Sequence, residues 1–413
     1  MKKFIASLLI GTMALSLVAC GSSETSEAPA ATEEVTEEVA TETTEEVAEE
    51  ATEEATEETT EAAEEATEGT GLNILFVSSP SGIDDGSFNQ NCYKGVADFV
   101  ANHADCQATA LKEPTGDSEA CIAMVEANAA DYDVIVCSGF QFAAIGDIAD
   151  DNPDKTFLLV DTTPTYADGT AAECENIYAM TFAEQESGFF AGIAAALETK
   201  TGKVAVVNGI AYPSNVNYQY GFMSGVDYAV AKLGATAEYV ELPSYAGTDV
   251  TNANVGGNYI GSFADQDTGK VVGEALIKEG CDIIFVAAGD SGNGVFTAAK
   301  ETDNVMVIGC DADQYDFGDN GSRNIILTSV LKCMDINNER QLEKIYAGEF
   351  QGGNELLFAN TDSTGYVSAE GRQQLSAETL SALKTAFEEV KAGNIVPASN
   401  FGVTLDEFKA TLQ

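Results

Sequence analysis

Histidine is almost missing from this chain: His103 is the only one among 413 residues. A His-based catalytic triad or a His-rich metal site therefore has little to draw on. His103 lies near a helix end and reads as a polar surface residue. Basic residues are also scarce, with 19 Lys and Arg against 68 Asp and Glu and a formal net charge of −49. Such a surface repels nucleic acid and anionic lipid and disfavours phosphorylated ligands. The nine cysteines form no C-x-x-C pair, which argues against zinc ribbons and thioredoxin-like chemistry. Cys137, Cys281 and Cys310 sit in or beside apolar runs, where Cys is a small buried residue, so mostly free thiols are expected. No run is long and apolar enough for a transmembrane helix.

What is present begins with an address. Lys2 and Lys3 precede an apolar stretch, Phe4 to Val18, of signal-peptide length. It ends in Leu17-Val18-Ala19-Cys20, which resembles the bacterial lipobox. The resemblance implies that residues 1–19 are a lipoprotein signal peptide and that Cys20 is acylated. The mature chain would then be anchored to the membrane, not spanning it. From 24 to 70 the chain is mainly Glu, Thr, Ala and Val, with 19 Glu and no Lys or Arg. On a helix its four-residue repeats would stack like charges, and little apolar surface offsets chain entropy. Residues 20–70 are therefore expected to form a disordered tether with a reach of roughly 40 Å. Setting aside two leader lysines and 19 tether glutamates, a charge of −32 remains on residues 71–413.

The remaining part is expected to be α/β. Continuous apolar runs such as VIVCS, TFLLVD, KVAVV, DIIFVAA and VMVIGC fit parallel strands covered on both faces. One series of strands is predicted at 72–79, 106–112, 133–138, 156–161 and 176–182. A second is predicted at 203–208, 236–242, 256–263, 282–288, 305–310 and 324–330. Helical patterns at 87–102, 117–129, 186–198, 217–232, 268–280 and 292–301 lie between most of them. Two such series predict two doubly wound lobes, the first from 71–184 and the second from 185–330. Residues 331–413, with helices near 335–347 and 376–392 around a β-rich piece at 355–369, are expected to return to the first lobe. A ligand site then lies between the lobes, at loops following the carboxyl ends of strands.

That geometry selects residues. Ser79 to Gln90 follow the first strand and hold Asp85, Phe88 and Asn89, an aromatic beside polar groups that suits a flat, hydroxylated molecule. Gly139-Phe140-Gln141 follow a second strand, and Phe263 ends another. Asp161 and Asp311 stand at the ends of apolar strands in the two series. Carboxylates so placed accept hydrogen bonds from vicinal hydroxyls, and they also serve as helix or loop caps. The loop Gly289 to Gly294 has phosphate-cradle spacing, but it holds Asp290 and no Lys. Close approach of its backbone N–H groups to a neutral ligand fits it better than phosphate binding.

Six ordered motifs carry a resemblance: GIDDGSFNQ, GFFAGIAAAL, GKVAVVNG with the following YQYGF, IIFVAAGDSGNGV, VIGCDADQ and LTSVLK. Together they resemble the basic membrane protein family of ABC-transporter substrate-binding lipoproteins, including purine nucleoside receptors. The resemblance implies the type I periplasmic-binding-protein fold and capture of a nucleoside for a permease and its ATPase. It implies neither metal nor cofactor. Position by position, Phe88 matches an aromatic stacking on the base, Asn89 its polar neighbour, and Asp161 a cleft carboxylate. Phe263 matches an aromatic of the second lobe, and Gly292 lies in a loop offering backbone contacts. Asp311 and Lys332 match a pair holding the ribose hydroxyls. Pairing with Asp311 is also expected to stabilise a Lys332 charge beside apolar LTSV. Ser79 departs from the pattern, since many members have Asp there to contact the base.

Two other functions compete. Nucleoside hydrolases carry a D-T-D-P-G-x-D-D loop after the first strand that holds Ca²⁺. Here the stretch is Ser78-Ser79-Pro80-Ser81-Gly82-Ile83-Asp84-Asp85, which keeps only the last two carboxylates, whereas a Ca²⁺ site wants several oxygen ligands. A receptor presenting its ligand-bound surface to a membrane sensor needs the same cleft as a transport protein. The lipobox reading makes one prediction: Cys20→Ser moves the protein from the membrane pellet to the soluble fraction or leaves it unprocessed. Fractionation and intact-mass measurement check this, and an unchanged mass and distribution would reject acylation.

Overall fold

The computed structural model describes residues 71–400 and 402–413. The expected leader, Cys20 and the tether lie outside the described residues. The first part alternates β1 (Asn73–Ser78), α1 (Phe88–Asn102), β2 (Gln107–Lys112), α2 (Ser118–Asn128), β3 (Val134–Ser138), α3 (Gly146–Asp151), β4 (Thr156–Val160) and β5 (Ile177–Phe182). The second part runs α4 (Glu184–Glu198), β6 (Lys203–Asn208), α5 (Pro213–Lys232), β7 (Glu238–Tyr239), a ribbon of β8 (Gly247–Thr248) and β9 (Asn254–Gly256), and α6 (Gln266–Lys278). It continues through β10 (Ile283–Ala287), α7 (Gly292–Lys300), β11 (Met306–Gly309) and β12 (Ile326–Lys332). The chain ends with α8 (Met334–Tyr346), β13 (Gly353–Leu357), β14 (Thr364–Tyr366), α9 (Ala377–Lys391) and α10 (Leu405–Thr411).

The apolar runs become buried strands: every residue of β3 and β10 is buried. Two six-stranded sheets result. The first has the order β13-β5-β4-β3-β1-β2 and is parallel throughout. The second has the order β14-β12-β11-β10-β6-β7, parallel except for antiparallel β14. Each sheet carries an apolar cluster on both faces, around Phe76 and Phe157 in one and Phe285 and Val286 in the other. The two orders correspond strand for strand. In each the order reverses beside the first strand, at β1/β3 and β6/β10, which is where open α/β sheets leave a crevice.

The chain passes between the sheets three times: from β5 to α4, from β12 to α8, and from β13 to β14. The last crossing corrects the expected return of 331–413 to the first lobe. Only α8, which packs on α1, and β13 join the first sheet. From β14 onward the chain belongs to the second lobe, where Leu383, Ala386, Val390 and Phe408 bury against Phe189 and Phe190. Helical periodicity marks these apolar faces but does not say which of two cores receives them.

The predicted strand at 256–263 also fails to form. Gly256, Gly257 and Gly261 take φ of 66°, 75° and 84°, outside the extended region. The segment instead winds past β6, with a lone bridge from Tyr259 to Asn208. The eight cysteines of the described residues form no disulfide.

The α4–α5 pair anchors the second lobe near the crossings. Glycines let the two backbones approach: a Cβ on Gly192 would lie 2.1 Å from the carbonyl oxygen of Phe222, and one on Gly225 2.1 Å from that of Phe189. Gly192→Ala therefore forces the helices apart. The expected loss is about 2–3 kcal/mol in unfolding free energy by urea titration, the upper part of the overpacking range, and an unchanged midpoint would contradict the packing.

Candidate functional site

Loops at the two crevices face each other across a narrow cleft with a cavity of about 60 Å³, in the position between lobes where small-molecule sites are commonly built. The first lobe contributes Ser79, Ser81, Phe88, Phe140 and Asp161 to its wall. The second contributes Tyr212, Asn215, Tyr218, Phe263, Gly289 and Asp311, and Lys332 closes the wall at the second crossing. The sequence-predicted residues Ser79, Asp85, Phe88, Asn89, Asp161, Phe263, Asp311 and Lys332 are thus brought together. Gly292 is the exception. A 3₁₀ turn over Gly289–Ser291 places Gly289 at the cleft, while a Cβ on Gly292 would meet Val286 at 2.8 Å.

Asp85 is the organiser of the first loop. Its Oδ1 accepts from the amides of Ser87 and Gln90 at 2.9 and 3.0 Å. Its Oδ2 accepts from the Asn89 amide at 3.0 Å and from Asn89 Nδ2 at 2.8 Å. These bonds satisfy orphan donors of α1, so this carboxylate is occupied by its own loop. Burial raises its pKa, against the lowering pull of those donors. Asn89 is equally committed: Nδ2 also donates to Ser79 Oγ at 3.0 Å and Oδ1 accepts from Ser138 Oγ at 3.1 Å. The Ser79 hydroxyl, receiving that bond, keeps its own proton to donate.

Aromatic rings form much of the wall. Phe140 and Tyr212 meet across the lobes at a centroid distance of 4.9 Å, and Tyr212 lies 6.0 Å from Phe263. Phe263 takes its position because residue 209 is glycine; a Cβ there would fall 2.2 Å from the ring.

Asp161 and Asp311 both hold left-handed backbone conformations, φ 70° and 69°, just past the ends of β4 and β11. Such strain costs about 1–3 kcal/mol each and persists only where surroundings enforce it. It turns both carboxylates inward. Asp311 Oδ1 accepts from Tyr218 Oη at 2.8 Å and Oδ2 from Ser87 Oγ at 3.1 Å.

Lys332 does not pair with Asp311 as the sequence predicted. Its buried ammonium contacts both oxygens of Asp161 and lies 2.9 Å from Glu184 Oε1. The Asp161 carboxylate is thus engaged by the ammonium through both of its oxygens. Glu184 was missed by sequence reasoning, although a carboxylate two residues past the end of β5 was a usable signal. It is fixed by Asn217 Nδ2, which donates to Oε2 at 2.9 Å. Phe88, Phe182 and Tyr218 surround the ammonium at 5.4, 5.3 and 5.9 Å. Asn217 and Tyr218 belong to α5, whose predicted start at 217 hid their role.

One ammonium thus serves two buried carboxylates. Burial alone would lower the Lys332 pKa; Asp161, Glu184 and Asp311 more than reverse this and raise it. For Asp161, burial dominates over the opposing pull of Lys332, and with repulsion from Glu184 its pKa is pushed up to about 7. The native state therefore holds a proton here that the unfolded chain releases near pH 4. Asp161 costs stability as pH rises from about 4 to about 7. Asp161→Asn removes that titration, so the variant's stability relative to wild type increases across this interval and levels off above it. Denaturant unfolding at pH 4 to 8 measures the difference; a constant offset would contradict a raised pKa.

Comparisons with known proteins agree with this architecture. The profile of the Bmp family, described as "ABC transporter substrate-binding protein PnrA-like", matches residues 73–242 and 246–385. A "CD4+ T-cell-stimulating antigen" of Listeria monocytogenes is 29% identical over 338 residues, covering 78% of this chain and 87% of that protein. An "ABC transporter nucleoside-binding protein BmpA" of Lactococcus lactis is 28% identical over 305 residues, covering 69% and 78%. A solved ABC-transporter solute-binding protein from Aeropyrum pernix shares the fold, with a TM-score of 0.67 at 21% identity and coverage of 82% and 96%. With a profile match over most of its length and the expected two-lobed cleft, the chain belongs to the Bmp family of PnrA-like ABC-transporter substrate-binding proteins.

Proposed function

We propose that the protein captures a nucleoside between its lobes and delivers it to an ABC permease and its ATPase, held to the extracytoplasmic face of the membrane through acylated Cys20. The observation that carries this reading is the meeting of aromatic walls with two inward-turned carboxylates and a buried ammonium in one cleft. A flat base is matched by rings such as Phe88 and Phe263, whose stacking contributes roughly 0.5–1.5 kcal/mol beyond area burial. Sugar hydroxyls are matched by Asp161, Asp311 and Lys332 through charge-assisted hydrogen bonds. The name of the Lactococcus relative, a nucleoside-binding protein, supports the same ligand class. The excess of carboxylates over ammonium disfavours a phosphate, so nucleosides fit better than nucleotides.

The reading is one of binding without catalysis. Asp85 is committed to its own loop, and Asp161 and Asp311 are engaged by Lys332, Ser87 and Tyr218. Ser79 sets the base preference: it offers one hydroxyl donor where a carboxylate would accept from two N–H groups of guanine. Purines presenting an acceptor at that edge are favoured.

Calorimetry against adenosine, guanosine, inosine, uridine, cytidine and ribose tests the assignment. At least one purine nucleoside should bind and ribose alone should not; no heat with any nucleoside would reject the ligand class. Phe88→Ala and Asp311→Ala should each weaken binding by about tenfold or more, roughly 1.4 kcal/mol. Unchanged affinity in both would place the ligand elsewhere.

A further inference from the structure

Some bonds between the lobes lie in the cavity wall, such as Ser81 Oγ donating to the carbonyl oxygen of Phe263 at 3.0 Å, and others lie beside it. The turn after β11 in the second lobe carries Gln314, which is 4% exposed. Its Nε2 donates to the carbonyl oxygen of Gly86, in the first lobe, at 2.8 Å. The same side chain is fixed in its own lobe, because Oε1 accepts from the Cys310 amide at 2.9 Å. The backbone amide of Gln314 donates to Ser329 Oγ on β12 at 3.0 Å. Phe317 adds a steric half: a Cβ on Gly86 would fall 2.9 Å from its ring. Gly86 has φ 70°, suited to glycine, and its N–H is held by Gln90 Oε1 at 2.9 Å.

The turn is braced from behind. Arg372 Nε donates to Asp313 Oδ2 at 2.7 Å, and its two terminal nitrogens donate to Asp316 at 2.7 and 3.0 Å. These carboxylates flank Gln314 and Phe317, so the turn meets the first lobe as a rigid piece. Ser87, one residue after Gly86, spends its hydroxyl on Asp311 across the lobes and makes no cap bond to its own helix. Gly86, Gln314 and Phe317 do not line the cavity.

We propose that the Gln314–Phe317 turn is a latch: it grips Gly86 when the lobes close and sets how long a ligand stays, without choosing which ligand enters. Gln314 is a positioning residue in this device. Interface changes of this kind act mainly on dissociation. Gln314→Glu is the informative variant, since it keeps an acceptor for the Cys310 amide and removes the donor to Gly86.

The nucleoside arm of the test rests on the proposed function; the exchange arm does not. In the full mature chain, Gln314→Glu and Phe317→Ala should each speed release of radiolabelled inosine and adenosine by about three- to tenfold, the range for one buried neutral hydrogen bond. The inosine-to-adenosine affinity ratio should stay at the wild-type value. Without ligand, hydrogen exchange of the 81–90 amides should quicken by a similar factor while β3 stays protected. Unchanged release and exchange in both variants would overturn the latch, and so would a shifted affinity ratio, which marks a ligand contact. If β11 and β12 also lose protection in Gln314→Glu, the turn has unfolded and Phe317→Ala decides. If neither nucleoside binds the wild type, the ligand reading falls and the exchange result alone decides the latch.

Discussion

The buried ammonium of Lys332 is the interaction on which the cleft depends. It ends β12 in the second lobe, touches Asp161 at the end of β4 in the first, and touches Glu184 where the chain crosses between them. One charge thus ties both sheets to the first two crossings. Removing one partner of such a buried cluster costs on the order of 3–5 kcal/mol, because the remaining charges stay desolvated. Two carboxylates, Asp161 and Glu184, share that one ammonium, so the cluster is one positive charge short. Structure and cleft wall are therefore the same group of atoms: Asp161 and Lys332 tie the lobes together and also line the cleft.

The loops divide their labour around that cluster. In the first lobe Asp85 and Asn89 use their polar atoms on the loop itself, which frees Ser79 and Phe88 to face the cleft. In the second lobe the tight passage of Phe263 over Gly209 and the left-handed Asp311 do the same. The symmetry is physical as well as topological. Both lobes place an Asp in a strained conformation just past a parallel strand, and in both a neighbouring chain segment holds it there.

How much of this was legible beforehand varies with the kind of interaction. The strands were readable because a strand covered on both faces must be apolar throughout, as in β3 and β10. The first-lobe loop was readable because its polar residues interrupt such a run. The partner of Lys332 was not. Asp311 was the nearest in motif, but Asp161 and Glu184 lie 171 and 148 positions away in sequence, as the residue numbers show. The strand expected at 256–263 failed because three glycines adopt positive φ, a choice glycine permits without announcing it.

By itself the sequence determined the class of fold, the acidic character, the missing histidine chemistry and most cleft residues, because each follows from composition, periodicity or position after a strand. Only the tertiary structure decided which carboxylates share the ammonium, that Asp85 serves its own loop, that Gly292 faces β10, and that the C-terminal helices complete the second lobe. Those outcomes depend on which atoms meet across two cores. Helical and strand periodicity specify a buried face but not its partner, and charge pairing is settled by distance and desolvation after the lobes have packed.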